Sequence, residues 1–251
     1  MRRWIIRIVI AVFVLILIGL GGFALTWSNP IPAQARALAA MQTSATVSVT
    51  DSPGQIVFMP ATAPKAGFIF YQGARVAPAA YAASMRAIAE QGYAVFVPKL
   101  PLNMALLGTS AADGIIAANP AIKVWAIGGH SLGGVAASSY ASGGRNPALR
   151  GLILYASYPA ASMADNTSLA IVSISGSNDG LSTPAKITAA RALLPPSTKY
   201  VIIDGGNHGQ FGDYGPQDGD NPAAITAEQQ TAQIVAASVA LLQQISVQTT
   251  P

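Results

Sequence analysis

Residues 127–134 read IGGHSLGG, directly after an apolar run and before a stretch of small, helix-compatible residues. A glycine cluster in that position can cradle a phosphate, let a helix pack closely on a sheet, or present a serine for chemistry. A dinucleotide loop needs G-x-G-x-x-G and a nucleotide triphosphate loop needs G-x-x-x-x-G-K-[ST]; neither spacing fits, and no lysine follows. G-x-S-x-G does fit, as Gly129-His130-Ser131-Leu132-Gly133. Between a strand and a helix that pattern forms a sharp turn, which small residues allow to close and which leaves the serine hydroxyl above the sheet edge. Ser131 is therefore the candidate nucleophile.

A serine hydroxyl needs a base, and histidine is the side chain suited to that task at neutral pH. The chain has two histidines. His130 adjoins the serine, and successive side chains in such a turn point apart, which leaves His208 in GGNHGQFGDYG as the candidate base. A carboxylate must then hold the imidazole in the correct tautomer. Asp179, in SGSNDG, follows one apolar run and precedes a helical stretch, giving the chain order Ser131, Asp179, His208. Asp204 and Asp213 flank the histidine and Asp165 lies in an earlier connection, so these are its rivals. With two histidines and no cysteine there is little from which to build a transition-metal site, and the chemistry requires no cofactor.

The elements that must hold these loops follow from hydrophobic periodicity. ATVSV and QIVFM, separated by Asp51-Ser52-Pro53-Gly54, predict an antiparallel hairpin. Further strands are expected at GFIFY (67–71), YAVFV (93–97), KVWAIG (123–128), LILYA (152–156), LAIVSIS (169–175) and KYVIID (199–204). Helices are expected over 78–91, 110–118, the stretch reaching Ser142, 184–194 and 223–244. Strands that lack polar alternation belong in a sheet covered on both faces, and strands alternating with helices require right-handed parallel crossovers. The expected fold is α/β: an eight-stranded, mostly parallel sheet with helices on both faces and an antiparallel edge.

On GHSLGG, SGSNDG, GGNH and FIFYQGARV, residues 45–245 resemble the α/β-hydrolases, and among them the compact dienelactone-hydrolase type. The resemblance implies hydrolysis of an ester or related acyl bond on a small-molecule substrate, through an acyl-enzyme. In that superfamily a His-Gly-x loop after the third strand supplies one oxyanion donor. The matching residues are Gln72-Gly73-Ala74, with Gln where His is usual, so the resemblance carries the donors to the amides of Ala74 and Leu132. Gly73 belongs to the same substrate-facing loop. Only about thirteen residues separate the sixth and seventh expected strands, so no cap domain fits, and 211–222 is the expected cover, with Phe211 and Tyr214 as pocket or packing residues. Two other readings share these motifs: acyl transfer to a cell-envelope acceptor, and a non-catalytic membrane-tethered binding domain on the same scaffold.

Charge and hydropathy bound the partners. The net charge is +4, but Arg2, Arg3 and Arg7 supply three of it, so the remainder is nearly neutral and offers no basic face for nucleic acid. Residues 8–25, IVIAVFVLILIGLGGFAL, carry no charge and predict a transmembrane helix in contact with the lipid bilayer. The arginines before it place the N-terminus in the cytoplasm and the domain on the outer side. The alternative is a signal peptide cleaved after Ala33-Gln34-Ala35, which would release a secreted protein. The expected organisation is an anchor over 1–28, a linker or short amphipathic helix over 29–44, and the hydrolase-like domain over 45–251.

Overall fold

The computed structural model describes residues 2–144 and 146–247, the side chains of 2, 3, 5–11 and 20 excepted. Among these residues eight strands form one sheet: β1 (Val47–Asp51), β2 (Gln55–Pro60), β3 (Gly67–Tyr71), β4 (Ala94–Pro98), β5 (Trp125–His130), β6 (Leu149–Tyr155), β7 (Ala170–Gly176) and β8 (Lys199–Ile203). Their order is β1-β2-β4-β3-β5-β6-β7-β8. The β1–β2 and β2–β4 pairs are antiparallel and all others parallel, as the opening hairpin and the later strand–helix alternation require. Every residue of β3, β4 and β5 is buried, whereas the edge strands β1 and β8 are largely open to solvent.

Among the described residues seven α-helices accompany the sheet: α1 (Arg2–Ser28), α2 (Ala35–Ala40), α3 (Ala82–Glu90), α4 (Ala111–Ala118), α5 (Leu132–Ser142), α6 (Pro184–Ala190) and α7 (Ala227–Val247). The two-residue period of β3 divides the core. Phe68 and Phe70 pack with residues of α3 and α7 on one face, while Ile69 and Tyr71 pack with α4 and α5 on the other. Each such buried aromatic or branched side chain contributes about 1.5–3 kcal/mol. The Tyr71 hydroxyl also fixes the start of α4, accepting from the Ala112 amide at 3.1 Å and donating to the Thr109 carbonyl at 2.8 Å.

Several boundaries differ from those read in the sequence. The stretch from Pro78 opens as a 3-10 turn to Tyr81 before α3 begins. The last helix starts at Ala227 rather than 223 because Thr226 and Gln229 form a reciprocal cap: the Gln229 amide donates to Thr226 Oγ1 at 3.2 Å and the Thr226 amide to Gln229 Oε1 at 2.9 Å. β6 gains three residues at its start, where Leu149 pairs with Trp125. The connection between β6 and β7, residues 156–169, contains no helix, so no cap domain is inserted there.

Residues 31–41 pack on the domain. Ile31 pairs with Val76, α2 buries Ala37 completely, and Arg36 forms an ion pair with Asp213 while donating to Thr231 Oγ1 at 2.9 Å. Part of the expected membrane anchor, residues 8–11 and 20 of the uncharged run, falls on residues whose side chains lie outside the described set. Among the described residues, no helix is long and apolar enough to cross a membrane.

Candidate active site

Four loops at the carboxyl ends of parallel strands converge on one rim of the sheet, where open α/β sheets hold their ligands. Ser131 sits between β5 and α5 with φ 51° and ψ −123°. A non-glycine residue in this region is strained by about 1–3 kcal/mol and persists only where its surroundings enforce it. The enforcement is visible: a Cβ on Gly129 would lie 2.4 Å from the Gly133 carbonyl carbon, and one on Gly133 would lie 2.1 Å from the Tyr71 carbonyl oxygen. The two glycines of the pentapeptide thus let α5 start directly against the end of β3. Ser131 itself is partly exposed.

His208 follows β8 and Asp179 follows β7. Both are almost completely buried, and His208 Nδ1 lies 2.9 Å from Asp179 Oδ2. The second carboxylate oxygen of Asp179 accepts from the amides of Leu181 and Ser182 at 2.8 and 2.7 Å, so the side chain is fixed on both sides. Asp179 is not a helix cap; that position in α6 belongs to Thr183. The rival carboxylates are engaged elsewhere, Asp213 by Arg36 and Asp204 by the Ser177 hydroxyl, and Asp165 is exposed. His208 Nε2 is buried and has no hydrogen-bond partner among the described residues, Ser131 Oγ included.

His130 packs against this pair, its ring centroid 4.4 Å from that of His208. Its Nδ1 lies 2.9 Å from the Tyr81 hydroxyl, which accepts from the Gly73 amide at 2.9 Å. Burial, with His208 adding to it, holds the His130 imidazole well below the ordinary histidine range, so the ring is neutral. With the Gly73 N–H occupying the tyrosine oxygen, Tyr81 donates to Nδ1, and the imidazole proton resides on Nε2. Composition and motif gave no signal for Tyr81, because its role depends on a partner 49 residues away.

The amides of Ala74 and Leu132 have no acceptor among the described residues and are available as donors. Gln72 is fully buried with neither end of its carboxamide partnered. Phe211 stacks on His130 at 5.7 Å, and Tyr214 is buried beside the same ring with its hydroxyl donating to Gln217 Oε1 at 2.9 Å. Both side chains belong to the same buried cluster as Tyr81 and Tyr155. A cavity of about 470 Å³ behind the His208 loop and a groove of about 560 Å³ between α3 and α7 do not include Ser131 in their linings. Among the described residues no cluster of His, Asp and Glu is arranged to hold a metal ion.

A family model for the alpha/beta hydrolase family matches residues 67–232, about two thirds of the chain. The chain belongs to the alpha/beta hydrolase family. The match embraces Ser131, Asp179 and His208 together with the Gln72–Ala74 loop, and solved members of this hydrolase fold resemble the chain over most of its length. A Klebsiella pneumoniae protein assigned as a dienelactone hydrolase superimposes with TM-score 0.57 at 14% identity, covering 79% of this chain and 98% of that one. The esterase domain of a Rhodothermus marinus protein gives 0.57 at 13% identity over 75% and 92%. A dienelactone hydrolase-like promiscuous phosphotriesterase from metagenomic libraries gives 0.56 at 16% identity over 79% and 96%. A comparison with curated proteins finds no match.

Proposed function

We propose that this α/β-hydrolase is a serine hydrolase that cleaves an ester or related acyl bond through an acyl-enzyme. The observation that carries the reading is the buried 2.9 Å contact between His208 Nδ1 and Asp179 Oδ2, on the same sheet rim as the strained Ser131. In this reading Ser131 Oγ attacks the acyl carbon as its proton passes to His208 Nε2, and the charged imidazole is stabilised by Asp179. The oxyanion is held by the Ala74 and Leu132 amides, an arrangement in which one donor is worth about 3–4 kcal/mol. The proton then moves from Nε2 to the leaving alkoxide, breaking the ester C–O bond and leaving Ser131 acylated. Water, activated by the same nitrogen, releases the acid and restores the serine. Nε2 has no partner in the present arrangement, and the reading requires it to close on Oγ with substrate bound, as catalytic hydrogen bonds commonly do.

The same proposal places the domain on a membrane tether, with the N-terminus cytoplasmic. Its support is the uncharged run at residues 8–25 behind three arginines, and the open exposure of Leu15, Ile18 and Leu25. Protease accessibility in intact cells, and the mass of the mature N-terminus, test it; a chain beginning near Arg36 would overturn it.

Fluorophosphonate labelling and hydrolysis of short p-nitrophenyl esters test the chemistry. Ser131 is expected to be the labelled residue, and Ser131→Ala to lose at least about a thousandfold in kcat/KM. Absence of both labelling and hydrolysis in the folded protein would leave a binding domain on a hydrolase scaffold.

A further inference from the structure

The loops carrying Asp179 and His208 come from different strands, yet one carboxylate joins them. Asp220 Oδ1 accepts from the Gly180 amide at 3.0 Å and Oδ2 accepts from the Gly209 amide at 2.8 Å. Those amides belong to the residues that immediately follow Asp179 and His208. The neighbouring residues repeat the pattern on both sides: Asn178 Nδ2 donates to the Pro222 carbonyl at 3.3 Å, and Asn207 Nδ2 to the Asn221 carbonyl at 2.8 Å. Residues 219–222 therefore run across the two loops as a strap. The fit depends on a bare backbone at Gly180, where a Cβ would lie 2.6 Å from the Gly219 carbonyl oxygen and 3.0 Å from Asp220 Cα.

We propose that Asp220 is a positioning residue for the Asp179–His208 pair, setting the separation of the two loops so that the imidazole and carboxylate stay in register; this rests on the serine-hydrolase reading given above. The chemistry suits the task. A carboxylate is acceptor on both oxygens, so it satisfies two inward-facing N–H groups at once, whereas an amide of the same shape accepts on one side and sets N–H against N–H on the other. A shift of about 1 Å in a catalytic group can cost about a hundredfold in rate, so modest slackening of the strap is sufficient to be measured.

The test uses the full-length chain, with Asp220→Asn, Asp220→Ala and, as a control for lost charge, Asp218→Asn at an exposed neighbour. Asp220→Asn is expected to slow fluorophosphonate labelling of Ser131 and to lower kcat for p-nitrophenyl acetate by about 10- to 100-fold with KM little changed. The low-field proton resonance of His208 Nδ1–H should shift or broaden in the same variant, and Asp218→Asn should match the parent in every measurement. A purely structural role would leave that resonance and kcat unmoved in the folded fraction. Parental labelling rate and an unmoved resonance in Asp220→Asn overturn the inference. Should the variants not fold, amide exchange in the parent decides: slow exchange at both Gly180 and Gly209 supports the strap, and exchange at free-loop rates at both overturns it. If the parent Ser131 does not label, the serine-hydrolase reading fails, while exchange and the resonance still decide whether Asp220 holds the pair.

Discussion

Tyr81 and His130 share a buried hydrogen bond of 2.9 Å, and through it the loop after β3 is tied to the turn that carries Ser131. The tyrosine oxygen is also the acceptor for the Gly73 amide, so one hydroxyl serves two groups that have no access to water. Removing it leaves a buried N–H and a buried ring nitrogen unpaired at once.

Tyr81→Phe is accordingly expected to cost about 1–3 kcal/mol in unfolding free energy, the penalty for buried groups left without a partner, while keeping the aromatic packing on Phe70. Urea denaturation reads it directly. An unchanged midpoint would show that the contact contributes nothing net. Because Gly73 adjoins the proposed oxyanion donor Ala74, ester hydrolysis should fall by more than the loss of folded protein explains.

Stability should also depend on His130 protonation. Its folded-state pKa is depressed by burial and by His208, whereas the unfolded chain titrates near the ordinary 6.5. Below about pH 6.5 the unfolded state therefore takes up a proton that the folded state refuses, and unfolding free energy falls by up to about 1.4 kcal/mol per pH unit. His130→Asn, whose Oδ1 can stand in for Nδ1 as acceptor, should flatten that slope in urea titrations between pH 6.5 and 5. An identical slope in the two proteins would rule His130 out as its source.

Asp179→Asn should preserve the loop but present an amide N–H to His208 Nδ1, favouring the wrong tautomer. A loss in kcat of about 10⁴-fold is expected, as in serine-dependent triads generally. Activity within tenfold of the parent would show that another group orients the imidazole.

The N-terminal segment yields a further test. Deleting residues 1–28 spares α2, but deleting 1–44 removes Arg36 and Ala37 and strands Asp213, a buried carboxylate whose pKa burial already raises and Arg36 lowers. The shorter chain should be less stable by at least about 2 kcal/mol, and Arg36→Met should reproduce part of that loss. Equal melting temperatures for the two truncations would show that α2 is dispensable.

These residues also mark what a sequence discloses. The positions of Ser131, Asp179 and His208 after the ends of β5, β7 and β8 were legible because each sits in a short run whose turn chemistry is local: glycines around the serine, Asn-Asp-Gly after β7, Gly-Gly-Asn before the histidine. The strands were legible for the same reason, their apolar runs being continuous. Tyr81 was hidden because it looks like any aromatic on a helical face, and Asp220 because an aspartate among Gly, Asn and Pro reads as turn filler. The docking of α2 was hidden too, since an Ala-rich hexamer gains its helix from the surface it covers rather than from its own propensity. What escaped was pairing across the chain, which local pattern does not encode.

The path of the chain at the end of α1 ties it to the loop after β3. The Trp27 carbonyl accepts from Asn103 Nδ2 at 3.0 Å, the Asn103 carbonyl accepts from the Arg75 amide at 3.0 Å, and the Arg75 carbonyl accepts from the Ile31 amide at 2.6 Å. Arg75 is the residue after Ala74. The end of α1 and the residues after it are thus joined by hydrogen bonds to the loop that follows β3. The segment that joins α1 to α2 therefore shares its hydrogen bonds with the loop that carries Ala74, so a change in one reaches the other.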